Sequence, residues 1–231
     1  MANTTTTTSS LQTTTKSTTL RINILYASPP DSNSGDDASE SYASRASEIF
    51  LKSDNNNNNA TKIAVGYIGP LVVNEWYSGE NDGGLLPWYI THDNDHSNNN
   101  KNGNANIIDV TLFLISCTAD GSVNRSVRQV TKKLKKYSTQ STNETSRTTI
   151  VAATNNYVGL LGHARCDNSA KQMTDTIFGT GRRFQKALEQ CYDLGRHQME
   201  TQVELVGPEQ DFDPWVASII GELLLIGGAS E

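Results

Sequence analysis

The chain lacks the features that mark several protein classes. Its three cysteines, Cys117, Cys166 and Cys191, are odd in number and form no CxxC pair. The sequence therefore indicates neither a disulfide framework nor a metal site, and a reducing compartment such as the cytoplasm is expected. No apolar run reaches the ~20 residues that span a bilayer. We expect a protein without membrane segments.

Positive charge is also scarce. The chain has 19 Lys and Arg against 25 Asp and Glu, a net charge of -6. Because phosphate contacts need a basic surface, this balance predicts no nucleic-acid partner and favours a basic protein partner. No glycine is followed by the Lys-Ser or Lys-Thr pair of a triphosphate-binding loop. Nucleotide triphosphatase chemistry is therefore not indicated.

Polar tracts divide the chain. Residues 1–19 form a Thr/Ser tract with Lys16 as its only charge, which predicts a disordered tail. Because the tail is rich in hydroxyls and free of acids, an organelle-targeting segment is the minority alternative. Asn-rich stretches near 54–59 and 92–106 are predicted to be inserts in loops. Residues 20–228 then form one domain.

The remaining chain alternates strand and helix patterns, which predicts an α/β sandwich of three layers. Its strands are too uniformly apolar to have a wet face, so both faces of a five-stranded parallel sheet are predicted to carry helices, about five in all. The predicted strands are Leu20–Ala27, a run from Lys62, Ile108–Ile115, Tyr157–Leu161 (preferred to Thr149–Ala153) and Gln202–Val206. The predicted helices include 37–52, 124–136, 175–194 and one that opens at Asp213-Pro214-Trp215.

Three polar loops follow apolar strands, at 27–35, 116–122 and 162–169. Because the carboxyl ends of parallel strands meet at one edge of a sheet, we expect these loops to converge there around a ligand. A phosphate would fit at the first loop, which precedes a helix N-terminus, but Asp31, Asp36 and Asp37 would repel it. Ordinary solvated turns are the alternative. A His163–Cys166 catalytic pair is less favoured, because the sequence places no third group to orient it.

Taken in order, the three loops resemble the FMN-binding loops of the flavodoxin family. The runs that carry the resemblance are ILYAS at 24–28, LFLISCTADG at 112–121 and LLGHARCDNS at 160–169. FGTGRRFQKALEQCYDLG at 178–195 is similar to the helix that follows. GPEQDFDPW at 207–215 is similar to the end of the FMN domain of diflavin reductases, most of all the cytosolic branch that serves iron-sulfur cluster assembly.

The resemblance implies a flavodoxin-like fold with sheet order 2-1-3-4-5 and FMN in the crevice between the first and third strands. The function it implies is oxidoreductase-type electron transfer between a separate reductase and an acceptor protein. By resemblance, Ser28, Ser34 and Gly35 hold the phosphate. Ser116, Thr118, Ala119, Asp120 and Gly121 approach the flavin ring, and Gly162, His163, Ala164 and Asn168 close its other side.

The chain departs from the family pattern in two loops. Its first loop is longer and contains Pro29 and Pro30, which remove two N–H donors. Where the family stacks aromatic rings on the flavin, this chain has Thr118 and no aromatic residue in its third loop. The alternative is therefore a degenerate flavodoxin-like scaffold without flavin that serves as an interaction module. A chain of this length has no room for a reductase module, so a free domain or a fragment is expected.

Three further patterns lead to structural expectations. The run Gly179-Thr180-Gly181 lies in a helical pattern and is predicted to pack closely on the sheet. The lysines between 132 and 136 are predicted to end a helix, where cations complement the helix dipole. Trp215 is predicted to pack beneath the sheet and to stabilise the fold.

Overall fold

A computed structural model describes residues 18–29, 38–55, 61–72, 76–78, 85–87, 106–140, 154–163, 170–192, 194–203 and 205–228. Strands and helices alternate along the chain as the sequence predicts. They are β1 (Thr18–Ala27), α1 (Ala38–Asn55), β2 (Thr61–Pro70), β3 (Trp76–Ser78), β4 (Leu85–Pro87), β5 (Asn106–Thr118), α2 (Arg125–Gln140), β6 (Thr154–His163), α3 (Ala170–Glu189), β7 (Met199–Gln202) and α4 (Phe212–Gly228).

Five of the strands form one parallel sheet in the order β2-β1-β5-β6-β7. Numbered along the chain within this sheet, the order is 2-1-3-4-5, which confirms the prediction. β1 pairs with β5 over its whole length, from Thr18 opposite Asn106 to Ala27 opposite Ile115. The short strands β3 and β4 form a separate antiparallel pair. The fold is thus a flavodoxin-like α/β sandwich.

Helices cover both faces of the sheet, which explains the uniformly apolar strands. In β5, Leu112 and Leu114 pack in the cluster that contains residues of α1 and α4. Their neighbours Phe113 and Ile115 pack in the cluster that contains residues of α2 and α3. Alternate side chains of one strand therefore belong to different cores, because successive residues of a strand point to opposite faces.

Several element boundaries differ from the prediction. The prediction of the last strand at Gln202–Val206 is wrong: β7 ends at Gln202, and the Val203 N–H bonds to the Gly162 carbonyl as the chain leaves the sheet. β5 and β6 extend beyond the predicted ends. α2 continues past the lysines to Gln140, and the described residues hold four helices rather than about five.

The expectation for Trp215 is confirmed, and that for the run 179–181 holds at Gly181 but not at Gly179, where a Cβ would meet nothing within 4 Å. A Cβ on Gly181 would lie 2.8 Å from Leu160 Cδ2 and 3.0 Å from Cys117 Sγ, so only glycine allows α3 to approach the sheet this closely. Trp215 is buried, and its Nε1 donates to the His197 carbonyl at 3.0 Å. Its ring lies over Gly159 of β6, so that the indole joins α4 to the sheet.

Most of the predicted inserts and of the predicted tail fall outside the described residues. The prediction of loop is wrong at the ends of the inserts, because Asp54 and Asn55 belong to α1 and Asn106 begins β5. β1 begins at Thr18, so the last two residues of the stretch 1–19 belong to a strand. Among the helices that the structure describes, none combines the length and the apolar composition that a bilayer-spanning segment requires.

Candidate functional site

The carboxyl end of the sheet brings together the described candidate residues. Ser28 follows β1 directly, and Thr118 at the end of β5 pairs with His163 at the end of β6. The strand order reverses between β1 and β5, which is where parallel α/β sheets form a ligand crevice. Four predicted residues, Ser34, Gly35, Ala164 and Asn168, lie outside the described part of the chain.

The turn after β5 is held by its own polar groups. Asp120 accepts hydrogen bonds from the Thr118 hydroxyl at 2.5 Å, and from the N–H and hydroxyl of Ser122, both at 2.9 Å. The bond from Thr118, followed by those from Ser122, lowers the pKa of Asp120 to about 2. The turn is therefore preset, with an exposed anion at its tip at neutral pH.

Ser122 lies in the predicted loop at 116–122, but the sequence prediction gave it no role of its own. Its N–H and hydroxyl both fix the Asp120 side chain, and its carbonyl accepts the Thr118 N–H at 2.9 Å. The spacing Asp-Gly-Ser was a usable signal, because an Asp side chain commonly bonds the backbone two residues on.

Gly121 has a structural reason to be glycine. Its φ is 78°, in the left-handed region that side chains disfavour. A Cβ at this position would collide with the backbone carbonyl oxygen of Thr176 in α3. The turn therefore packs directly on α3 through Gly121. The packing role accounts for the glycine at this position. The approach of Gly121 to a flavin ring stays a prediction.

Ser116 and His163 form a pair across β5 and β6. Ser116 is fully buried, and its Oγ lies 3.1 Å from His163 Nε2, while His163 is half-buried. Ser116 therefore lies behind the imidazole and orients it. Any contact from this pair to a ligand is made by His163, because Ser116 is buried. In a neutral imidazole one ring nitrogen donates a hydrogen bond and the other accepts one.

Gly162 also has a packing role. A Cβ there would lie 2.9 Å from Phe178 Cζ and 3.0 Å from Ile177 Cγ2, so the glycine lets β6 approach α3. Its carbonyl accepts the Val203 N–H at 3.0 Å. The predicted contact of Gly162 with a ligand is not needed to account for its position.

Two arginines on the helices that flank the sheet are held in ion pairs. Arg45 of α1 bonds Asp213 at 2.6 Å and Glu209 at 3.0 Å, which ties α1 to the start of α4. The hydrogen bond from Arg45 lowers the pKa of Asp213. On α3, Arg182 bonds Glu200 of β7 at 2.6 Å and Asp175 at 2.7 Å. The pairs of Arg45 and the Arg182–Glu200 pair join different elements, whereas Arg182 and Asp175 both belong to α3.

Cys117 is unsuited to nucleophilic chemistry. It is buried between the sheet and α3, and this burial raises the pKa of its thiol to about 12. A thiol that stays protonated is a poor nucleophile. Cys166, the cysteine of the less favoured catalytic pair, lies outside the described residues.

The described part of the carboxyl edge carries several kinds of polar group. It offers the Ser28 hydroxyl, the His163 imidazole and the exposed turn residues Ala119 and Asp120, all at the carboxyl edge. Such a mixture of hydroxyl, imidazole and backbone groups suits a neutral heterocycle with a pendant phosphate. Residues 119–124 include no aromatic side chain for stacking.

No family model matches the sequence, and no curated protein matches it. Among solved structures, a cysteine-to-serine mutant of flavodoxin from Pseudomonas aeruginosa is similar at 15% identity and a TM-score of 0.46, covering 86% of this chain and 95% of that one. Oxidised flavodoxin 1 from Bacillus cereus is similar at 10% identity and a TM-score of 0.36, covering 86% and 92%. The fold assignment rests on the strand order and layers of this chain itself.

Proposed function

We propose that this protein is an FMN-binding electron-transfer domain that passes electrons between a separate reductase and an acceptor protein. The observation that carries the proposal is the reversal of strand order between β1 and β5, with the preset turn after β5 and the Ser116–His163 pair at the same edge of the sheet. Its location is the ligand position of this fold class. The resemblance at 207–215 supports kinship with diflavin reductases and a cytoplasmic location.

The residues have distinct roles in this proposal. Ser28 donates to the phosphate, together with Ser34 and Gly35 of the first loop. The Ala119–Asp120 tip lies beside the ring, and His163, oriented by Ser116, donates to or accepts from its polar edge. Bound FMN supplies one- and two-electron chemistry, while the protein supplies binding and electrostatics. Because Asp120 is anionic, it disfavours additional negative charge nearby.

Two observations favour the alternative, a scaffold without flavin. The Asp120 carboxylate is already satisfied by Thr118 and Ser122, so the turn needs no ligand to be complete. In addition, Glu40 lies in the first turn of α1, where the helix dipole favours an anion. A carboxylate there reduces the attraction of this helix for a phosphate.

Titration with FMN, followed by quenching of flavin fluorescence and by the visible spectrum, separates the two functions. The proposal predicts saturable binding of one FMN per chain. Ser28→Ala should weaken this binding by about ten- to a hundredfold, because a hydrogen bond to a charged group contributes ~1.5 to 3 kcal/mol. Ser138→Ala is the matched control. Ser138 bonds the Lys135 carbonyl near the far end of α2, so this variant should bind as the parent does.

A parent protein that leaves the fluorescence of added FMN unchanged would establish the scaffold function instead. If the parent binds FMN and Ser28→Ala binds it equally well, only the role of Ser28 in holding the phosphate is overturned.

A further inference from the structure

Helix α2 differs in charge from the rest of the chain. Its sequence, RSVRQVTKKLKKYSTQ, contains six of the 19 Lys and Arg and none of the 25 Asp and Glu. The rest of the chain therefore has 13 Lys and Arg against 25 Asp and Glu, a net charge of -12. An acidic protein thus carries a surface helix whose charged side chains are all positive.

Five of these cations point in the same direction. We call them the basic stripe, and all five side chains are exposed: Arg125, Arg128, Lys132, Lys135 and Lys136. At 3.6 residues per turn they fall within an arc of ~100° that runs ~16 Å along the helix. The fully buried residues Val127, Val130 and Leu134 occupy the opposite side of α2.

Ion pairing does not account for the basic stripe. Four cations elsewhere have acidic partners, in the pairs Arg21–Asp109, Arg45–Asp213, Lys52–Glu48 and Arg182–Glu200. Within the described part of the chain, no ion pair involves any of the five stripe residues. Cations at i,i+3 and i,i+4 repel one another, so the stripe reduces the stability of its own helix.

The helix dipole does not account for the stripe either. The expectation that the lysines end the helix is wrong, because α2 continues to Gln140 and its last turn contains no basic residue. The stabilising effect of a cation on the dipole falls off beyond the last turn. The stripe also begins at Arg125, in the first turn, where a cation opposes the dipole.

We propose that the basic stripe is the docking surface for a short acidic segment of a partner protein. This inference does not rest on flavin binding. Carboxylates of an extended or helical segment lie opposite the stripe, where attraction replaces the repulsion between its cations.

A short acidic segment fits better than a membrane or a nucleic acid. The apolar side of α2 is buried in the core, so the helix has no apolar face to insert into a bilayer. A membrane or a nucleic acid extends beyond the stripe and would face the net charge of -12 of the remaining chain. A segment as long as the stripe avoids that repulsion, because charges beyond a Debye length of ~8 Å are largely screened.

The test compares two double variants with the same net charge. Arg128→Glu with Lys135→Glu interrupts the stripe, and Lys52→Glu with Lys62→Glu changes exposed lysines outside it. Each pair replaces two cations by two anions. The stripe variant should fold at least as well as the parent, because both of its new carboxylates lie one helical turn from Lys132 and replace repulsion by attraction. Circular dichroism and a melting curve check this.

The probe is a fluorescein-labelled hexaglutamate peptide, followed by fluorescence anisotropy at low salt. Extended, it spans ~20 Å, enough to follow the stripe. The parent and the control variant, Lys52→Glu with Lys62→Glu, should bind the peptide with similar affinity. The stripe variant should bind it about tenfold more weakly, because it loses two exposed charge pairs with the peptide. Equal binding by the stripe variant would overturn the proposal, as would failure of the parent to bind.

Two further probes test the choice of partner. Single-stranded RNA of the same charge and vesicles containing phosphatidylserine should bind the parent more weakly than the peptide does. If the parent binds the RNA or the vesicles more tightly than the peptide, and the stripe variant does not bind them, the proposal of an acidic segment is overturned in favour of that partner.

Discussion

The two ends of the parallel sheet use their polar groups differently. At the carboxyl end, the turn from Thr118 to Ser122 is closed by bonds among residues at most four positions apart. At the amino end, the segment 194–198 is held by residues far away in the chain. The carboxyl turn is thus a local structure on which a site can be built, whereas the amino end holds the layers together.

At the amino end of the sheet, a side-chain amide makes hydrogen bonds that a neighbouring strand would otherwise make with its peptide groups. Gln198 Oε1 accepts the Val158 N–H at 2.7 Å, and Gln198 Nε2 donates to the Gly195 carbonyl at 2.7 Å. The amide of Gln198 thereby takes the place of a peptide group beside β6, where β7 has not yet begun. Gly195 donates its N–H to Asn156 and lies against the ring of Tyr157, where a Cβ would collide.

α4 completes this arrangement from outside the sheet. Both carboxylate oxygens of Glu222 lie 3.3 Å from the Arg196 N–H, and Trp215 bonds the His197 carbonyl. We therefore expect stability to fall most when a residue that joins α4 or the 194–198 segment to the sheet is replaced. We expect it to fall least when an exposed side chain of the carboxyl turn is replaced.

The largest expected effect is that of Trp215→Ala. Truncating a buried Trp typically costs ~3 to 5 kcal/mol of the free energy of unfolding, and here the His197 carbonyl also loses its donor. A thermal or urea melt of the flavin-free protein measures the loss. Leu225→Ala, on the same helix but 76% exposed, is the control and should change the stability by less than ~0.5 kcal/mol. Similar melts for the two variants would contradict the role of Trp215 in joining the layers.

A smaller loss is expected for Gln198→Ala. The substitution leaves the Val158 N–H and the Gly195 carbonyl without their partner, at a cost of ~1 to 3 kcal/mol. Hydrogen exchange read by NMR should show faster exchange of the Val158 amide. Gln129→Ala on α2 is the control. If the Val158 amide exchanges no faster in the variant, the Gln198 side chain does not protect it in the way that a strand's peptide group would.

The smallest expected effect lies in the carboxyl turn and depends on pH. The pKa of Asp120 is lowered to about 2 in the folded protein, below the ~3.9 of an unfolded Asp. Its stabilisation is therefore present above pH ~4 and is lost as the pH falls towards 2. Asp120→Asn should melt slightly below the parent at neutral pH, and the gap should close near pH 2. A gap that stays constant with pH would show that the carboxylate does not fasten the turn.

The sequence predicted the architecture well because the central strands are buried on both faces. Uninterrupted apolar runs located β1, β5 and β6, and their alternation with helices predicted the parallel sheet. β7 was misplaced because only one face of it is buried, and its buried residues Met199 and Thr201 are less apolar than the Val203 and Leu205 that follow.

The site was predicted only in outline. The loops identified the carboxyl edge, since that follows from strand direction alone. The burial of Ser116 behind His163 and the collision that makes residue 121 a glycine depend on the distance between β6, α3 and the turn. The role of Gln198 likewise depends on residues 40 positions away. Such contacts leave no periodic signal in the sequence.

The position of β1 inside the sheet affects the order in which strands can pair during synthesis of the chain. β1 is made first, yet one of its edges is completed only by β5, with Arg21 and its partner Asp109 separated by 88 residues. At ~5 to 20 residues per second, a ribosome needs ~4 to 18 s to cover that distance. During those seconds the nascent chain presents an unpaired apolar strand edge. Arg21 lies on that strand, and a charge there discourages pairing with other chains until Asp109 arrives.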